Sequence, residues 1–280
     1  MKKNKSILLI LFLVSFQCMA GGGWPQPKRG GYFKLGQNMI LSSRYYGPEG
    51  DLVDITTIGM YTTSFYGEYG LTDRLTGILY FPFFVRSTLN EIQFAQSGNV
   101  IPGDDFNSIG DTDIWLKYGL IINKHIVVST SLILGLPLGN PSGGETQILQ
   151  TGDGEFNQMI RIDASHSFYP KSFYASAYTA FNNRTNNFSD EIRFGFEAGA
   201  TLEKFIPIFK IDVVQSLFNG DAEIVQNGIF SNNTEYVSAT LELNYQLNKK
   251  TGITASTAFA FSGKNILASP NLGAGIYIKL

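Results

Sequence analysis

Residues 110–120 read GDTDIWLKYGL, and apolar and charged side chains alternate throughout this stretch. The even positions carry Ile114, Leu116, Tyr118 and Leu120, and the odd positions carry Asp111, Asp113, Trp115 and Lys117. Because successive side chains of a β-strand point to opposite faces, this pattern predicts a strand with one apolar and one charged face. A soluble β-sandwich would bury the apolar face in a core. An outer-membrane barrel would turn it to lipid and line its lumen with the charged face.

The same alternation extends to the other predicted strands. Their charged residues all lie on the non-apolar face, seven basic and seven acidic: Lys34, Arg86, Lys117, Arg161, Arg193, Lys210, Lys279, Glu68, Asp111, Asp113, Asp163, Glu197, Asp212 and Glu242. A lysine or arginine facing lipid at mid-bilayer costs about 2–4 kcal/mol, so a membrane would require this segregation. We therefore predict that these side chains, together with Trp115, face the lumen of a barrel. With Trp115, Tyr66, Tyr80 and Tyr236 also turned inward, we expect a narrow or partly blocked lumen.

Twelve strands are predicted, with short and long connections in alternation. They cover residues 31–41, 55–70, 75–86, 109–122, 125–138, 155–168, 173–182, 191–202, 206–217, 235–247, 252–261 and 270–280. Alternating periplasmic turns and extracellular loops are typical of outer-membrane barrels, and an even strand number brings both ends to one side. The predicted fold is all-β, a transmembrane antiparallel up-and-down β-barrel of about 12 strands.

The N-terminal residues predict export. A basic start is followed by the apolar run Ile7–Phe16 and by Cys18-Met19-Ala20, the features of a secretory signal peptide spanning residues 1–20. Cleavage would remove the single cysteine, so no thiol chemistry is expected in the mature chain. It would also remove three of the 21 basic side chains, which leaves 18 against 23 acidic ones. This acidic balance disfavours nucleic acid as a partner.

The two ends of the mature chain carry features that concern access to the lumen and assembly of the barrel. Residues 21–30 are rich in glycine and proline and cannot form a strand, so they are predicted to be a periplasmic tail or a lumenal plug anchored by Trp24. The barrel itself is assigned to residues 31–280. Gly275–Leu280 resembles the C-terminal strand signal that barrels present to the barrel-assembly machinery. Expected partners are that machinery, outer-membrane lipid and lipopolysaccharide.

Several short motifs resemble known outer-membrane proteins. They are Trp24–Lys28, Gly31–Leu35, Tyr69–Leu75, Gly110–Asp113, Gly135–Gly139 and Thr151–Gly154. The first four resemble the XagA-type proteins of Bacteroidetes, and the wider set is similar to the MetA-pathway phenol-degradation family of barrels. The resemblance implies an outer-membrane barrel of a Gram-negative bacterium and, by analogy, uptake of hydrophobic or aromatic compounds through a lumen with an N-terminal plug.

The residues give little support to an enzyme or a metal site. His166 lies between Ser165 and Ser167, but neighbouring residues of a strand point to opposite faces, so neither serine can approach its ring. An interfacial histidine is the better interpretation. Two histidines and no mature cysteine leave no zinc site. The acidic stretch from Asp104 to Asp113 is better explained as a solvated loop than as a calcium site, and no cofactor is expected.

Two hypotheses of function follow. The first is passive uptake of a small compound, hydrophobic or aromatic by the resemblance. The second is a non-transporting structural or adhesion barrel that acts through its acidic extracellular loops.

Overall fold

The structure, a computed structural model, describes residues 22–94, 96–221 and 230–280, so the predicted signal peptide lies outside the described residues. All regular elements in these ranges are strands. They are β1 (Gly31–Tyr46), β2 (Leu52–Gly70), β3 (Leu75–Leu89), β4 (Ile92–Gln93), β5 (Val100–Ile101), β6 (Asp104–Ser108), β7 (Thr112–Ile121), β8 (Ile126–Leu136), β9 (Asn157–Ser167), β10 (Phe173–Arg184), β11 (Glu191–Ala200), β12 (Phe205–Ser216), β13 (Glu235–Gln246), β14 (Thr251–Lys264), β15 (Ile266–Leu267) and β16 (Asn271–Lys279). Across the described ranges, no helix is long and apolar enough to cross a membrane.

Twelve of these strands form a closed antiparallel barrel. Each long strand pairs with the next one along the chain, from β1 through β2, β3 and β7–β14 to β16. The barrel closes because β16 pairs with β1, from Tyr32 opposite Lys279 to Ile40 opposite Asn271. Closure leaves no unpaired sheet edge, which a bilayer requires since it offers backbone groups no hydrogen-bond partner. The predicted twelve-stranded barrel is confirmed.

The short connections and the two chain ends lie at one end of the barrel, which we call the turn end. Gly31 opens β1 and Lys279 closes β16 at this end, beside turns such as 247–250. The opposite end, which we call the loop end, carries the long connections. By the usual arrangement of outer-membrane barrels, the turn end is periplasmic and the loop end extracellular.

Residues 87–108, which lie between two predicted strands as a long connection, contain strands of their own. β3 continues to Leu89 and pairs with β6, and β4 pairs with β5 in a small separate hairpin. β15 likewise pairs with the end of β1. These elements are too short for the alternation of apolar and polar residues to reveal them, and β6 and β15 lengthen the barrel wall at the loop end.

The outer face of the barrel is a continuous apolar belt. Ile114, Leu116 and Ile162 are 46%, 48% and 49% exposed, whereas Lys117 and Asp163 on the inner face are buried. A belt of this kind is stable only in contact with lipid, because a soluble protein rarely exposes so large an apolar surface. The predicted location in the outer membrane is confirmed.

A charge placed in the belt should destabilise the barrel according to its depth. Ile162 lies halfway along β9, and Gln158 lies on the same face near the loop end. We expect Ile162→Arg to lower the free energy of unfolding by about 2–4 kcal/mol and Gln158→Arg by about 0–1 kcal/mol. Urea-induced unfolding in lipid vesicles measures both values. Equal losses for the two variants would contradict the assignment of the belt.

Candidate lumenal site

Residues 22–30, which we call the N-terminal segment, lie against the inner wall at the turn end. The backbone N–H of Gly23 donates to Oγ of Ser165 at 2.7 Å. The Lys117 ammonium donates to the carbonyl of Gly22 at 2.8 Å. Both wall residues are buried, and Lys117 is one of the residues predicted to face the lumen.

Side chains of the segment contact the wall as well. The Gln26 backbone N–H donates to Oγ1 of Thr76 at 2.8 Å, and its Nε2 donates to Oε2 of Glu68 at 2.9 Å. The ring of Trp24 meets that of Tyr174 edge to face, with 5.6 Å between the centroids. The ring of Trp24 therefore packs on a buried tyrosine of β10.

Two glycines allow the segment to approach the wall this closely. Gly22 has φ +83°, and a Cβ atom there would lie 2.5 Å from Oγ of Ser176. A Cβ atom on Gly70 would lie 2.0 Å from the carbonyl oxygen of Pro27. Any other residue would displace the chain at these positions, since only glycine lacks Cβ and tolerates positive φ without cost.

A row of hydrogen-bonded and ion-paired side chains runs along the inner wall beside Trp24. The Tyr174 hydroxyl donates to Oε1 of Glu197 at 2.7 Å. Lys210 lies 3.5 Å from Glu197 and 3.4 Å from Glu242, and Asn244 donates to Glu242 at 2.9 Å. Three predicted lumenal residues from neighbouring strands are therefore brought together as one ion cluster.

A second group, which we call the arginine layer, lies at mid-height. Arg161 donates to both oxygens of Asp163, with a shortest distance of 2.7 Å. Its guanidinium stacks over the Tyr178 ring, 3.6 Å from the centroid, and lies 5.7 Å from that of Trp115. The Tyr178 hydroxyl donates to Asp212 at 2.8 Å. The paired charges and stacked rings line the inner wall at this level.

The loop end holds a third cluster, centred on Arg184. Its guanidinium contacts Glu155 at 2.7 Å, Glu191 at 3.0 Å and Asp153 at 3.1 Å, and its side chain is only 6% exposed. Glu191 also accepts from Arg193. The strand predicted over residues 173–182 ends before Arg184, which the structure includes in β10. The alternation does not reveal this cluster, because two of its acids, Asp153 and Glu155, lie in the loop before β9 and the third begins β11.

Asp111 ties the loop after β8 to the barrel rim. Its carboxylate accepts the backbone N–H of Gly139 and that of Asp153, each at 2.8 Å. Burial, together with the negative charge of Asp153, raises the pKa of Asp111 to about 7 against the opposing effect of these two N–H groups. Asp113 lies deeper on the same face, opposite Gly135.

Arg86 is the predicted lumenal residue that the structure places on the outer face. Phe65 pairs with Phe81 but Thr63 pairs with Phe84, so β3 carries one extra residue between these positions. A bulge of this kind reverses which face each later side chain occupies. Arg86 therefore points outward and pairs at 3.4 Å with Asp105, both side chains about half exposed. The prediction for Arg86 is wrong because the bulge interrupts the alternation.

A cavity of about 1060 Å³ occupies the other side of the lumen and opens at the turn end. Its wall is formed by β1, β2, β12–β14 and β16 together with Tyr80 of β3, and Gln26 of the N-terminal segment borders it. Turn residues 203–204 and 247–250 surround its mouth. Tyr66 and Tyr80 line it, so the inward tyrosines expected to narrow the lumen border an open space here.

Three other tyrosine rings lie flat against the wall rather than across the lumen. A Cβ atom on Gly195 would lie 2.0 Å from the ring of Tyr178, and one on Gly199 would lie 2.5 Å from that of Tyr174. Tyr277 covers Gly252 in the same way, at 2.3 Å. Each ring thus fills the place of a missing side chain on a neighbouring strand.

The ring of His166 contacts a backbone carbonyl and an aromatic side chain. Its Nδ1 lies 2.6 Å from the carbonyl oxygen of His125, and its ring packs edge to face on Phe168. Ser165 is buried on the lumenal side with the N-terminal segment. Within residues 22–94, 96–221 and 230–280, no group of three or more metal-ligating side chains could hold a metal ion.

Comparison with known proteins shows the fold. No protein-family model matches the sequence, and no curated protein matches it. An outer-membrane channel from Pseudomonas putida F1 superposes with a TM-score of 0.60 at 11% identity, over 93% of this chain and 99% of that one. The β-domain of the Bordetella autotransporter BrkA gives 0.48 at 12% identity, over 90% and 100% of the two chains. The KdgM porin gives 0.46 at 7% identity, over 89% and 99%.

At 11% identity the likeness to the Pseudomonas channel concerns architecture alone. It agrees with the twelve-stranded barrel and the apolar belt described above, and it leaves the resemblance to XagA-type proteins a prediction. The protein has the fold of an outer-membrane β-barrel channel.

Proposed function

We propose that the protein is a passive outer-membrane channel for a small solute. The observation that carries this proposal is the cavity of about 1060 Å³, which runs from the turn end to the level of Lys210. Its volume is at the upper end of the range for small-molecule sites, roughly 300–1,000 Å³. A barrel that served only as a scaffold would gain stability by filling this space.

In this proposal the N-terminal segment is a plug that regulates access to the lumen. Its contacts run to β2, β3, β7, β9 and β10, and the wall around β16 stays uncovered. The contacts are hydrogen bonds and one ring contact, without an ion pair of its own among the described residues. Such a segment could leave the wall without exposing an apolar core.

The resemblance to phenol-degradation barrels suggests a hydrophobic or aromatic solute. Four tyrosines line the cavity, and aromatic rings offer apolar surface with a polar edge. The Pseudomonas protein with the same fold is described as a channel, which agrees with passage through the lumen.

Planar-bilayer recordings test the proposal. We expect the refolded mature protein to conduct weakly and a variant lacking residues 21–30 to conduct severalfold more, because the deletion empties half of the turn end. Trp24→Ala should fall between the two, and Lys28→Ala, which alters an exposed residue of the same segment, should match the unaltered protein. Silence of every variant would exclude the channel.

The loop end favours the second hypothesis, a non-transporting barrel. Leu149, Gln150 and Thr151 of the loop after β8 are buried, and the Arg184 cluster holds this loop down. If these loops never open, the cavity is a pocket without an exit. Deletion of the gene should then alter surface attachment or envelope integrity and leave solute uptake unchanged.

A further inference from the structure

Lys34 is a lumenal cation that the barrel leaves without a close partner. It projects inward from β1 and lines the cavity. Among the described residues, no hydrogen bond and no ion pair of 4.0 Å or less involves its ammonium group. An uncompensated charge in a partly buried site is costly, so the site favours an anion that would neutralise it.

The acids near Lys34 are already engaged. Glu242, the acid whose charge acts on Lys34, is bound by Lys210 at 3.4 Å and by Asn244 at 2.9 Å. Glu68 accepts from Gln26 and from the hydroxyl of Tyr66. Lys210 also lies 3.5 Å from Glu197, so each of these acids is bound by groups other than Lys34.

Small residues provide room beside the ammonium group. Lys34 lies between Tyr66 and Tyr277 in the register of β2, β1 and β16. The next inward position of β1 is Gly36, and the Cε atom of Lys34 lies 3.6 Å from where a Cβ atom on Gly36 would be. The lysine side chain therefore extends along the wall into the cavity, toward Ser64.

The residues at the mouth of the cavity are mostly basic, like Lys34. Lys204, Lys249, Lys250 and Lys279 line it, against Glu203. Basic residues around a pore attract anions and repel cations, as rings of lysine or arginine do in anion channels. Positive charge therefore extends from the mouth to Lys34.

We propose that this end of the cavity binds small organic carboxylates, with the carboxylate on the Lys34 ammonium group. A charge-assisted hydrogen bond would supply the affinity, and the tyrosines beside Lys34 would contact the organic part. The inference builds on the proposed function, because it names the class of solute that the channel would take.

Calorimetric titration of the detergent-solubilised mature protein tests the site, with benzoate, benzyl alcohol and benzylamine as probes of matched shape and different charge. We expect benzoate to bind at least tenfold more tightly than the alcohol, and benzylamine not to bind. Lys34→Gln should weaken benzoate binding at least tenfold, and Lys34→Arg should retain it. Lys124→Gln, in a turn outside the cavity, is the matched control and should leave binding unchanged.

Equal affinity for benzoate and benzyl alcohol, or unchanged benzoate binding by Lys34→Gln, would overturn the proposal. A heat-dependent shift in electrophoretic mobility verifies that each variant is folded. Conductance is measured separately, so the two proposals can fail independently. Benzoate binding without conductance would contradict the proposed channel and support the carboxylate site. Conductance without benzoate binding would support the channel and contradict the site.

Discussion

Oxidation of a Gly23→Cys/Ser165→Cys double variant should reduce solute passage at least tenfold, and reduction with a thiol should restore it. A Cβ atom on Gly23 would lie 3.0 Å from Oγ of Ser165, so two cysteines at these positions would bring their side chains together as a disulfide requires. The bond would fix the N-terminal segment to β9. If the segment must leave the wall for a solute to pass, the oxidised protein is a permanently closed form.

The mature chain offers a clean background for this measurement, because the single cysteine lies at position 18, within the predicted signal peptide. Swelling of proteoliposomes in the test solute, with and without reductant, reports the rate of passage. Each single cysteine variant serves as a control and should not respond to oxidant. Equal rates for the oxidised and reduced double variant would show that solutes pass through the cavity beside a stationary segment.

Substitution of Arg184 should cause the largest loss of stability at the loop end. Arg184→Gln leaves Asp153, Glu155 and Glu191 without their shared cation, and all three carboxylates are largely buried. Breaking a buried ion pair from one side costs about 3–5 kcal/mol, because the remaining charges stay desolvated. We expect the urea midpoint of the variant in vesicles to fall and the loop at 139–154 to become sensitive to protease from outside.

Arg86→Gln is the matched control, since it removes the same charge from a pair that is about half exposed. Exposed pairs contribute about 0–1 kcal/mol, so this variant should unfold near the unaltered midpoint. A similar effect of both substitutions would mean that the Arg184 cluster does not hold the loop. Arg184→Lys should give an intermediate result, because an ammonium group cannot contact three carboxylates with the geometry of a guanidinium.

The strands were predictable from sequence because a bilayer imposes a simple rule on each of them. A lipid-facing position must be apolar, so the alternation in β7 or β9 identifies both the strand and its inner face. The rule fails at the bulge in β3, where one additional residue between Phe81 and Phe84 moves Arg86 to the outer face. The residues around the bulge are apolar on both faces, and its one sign in the sequence is Pro82, because prolines within sheets occur mainly on edge strands and at bulges.

The internal arrangement of the charges was not predictable in the same way. Equal numbers of acids and bases on the predicted strands do not reveal which of them pair, and the pairing in the structure is uneven. Arg161 and Arg184 are fully engaged, whereas Lys34 is not. Which strands face each other across a barrel depends on register and on the path of the loops. The alternation of apolar and polar residues along a strand reveals neither of these. The contacts of Trp24 depend on the same information.

The glycines beneath the tyrosine rings affect the free width of the lumen. Tyr178 and Tyr174 are bulky, but each lies in a depression that a glycine on β11 provides, so its ring adds little to the obstruction of the lumen. A methyl group at Gly195 or Gly199 would lift the ring toward the axis. Substitutions at these glycines would therefore change the width of the lumen in small steps without touching a solute. Barrels with the same strands could in this way admit molecules of different size.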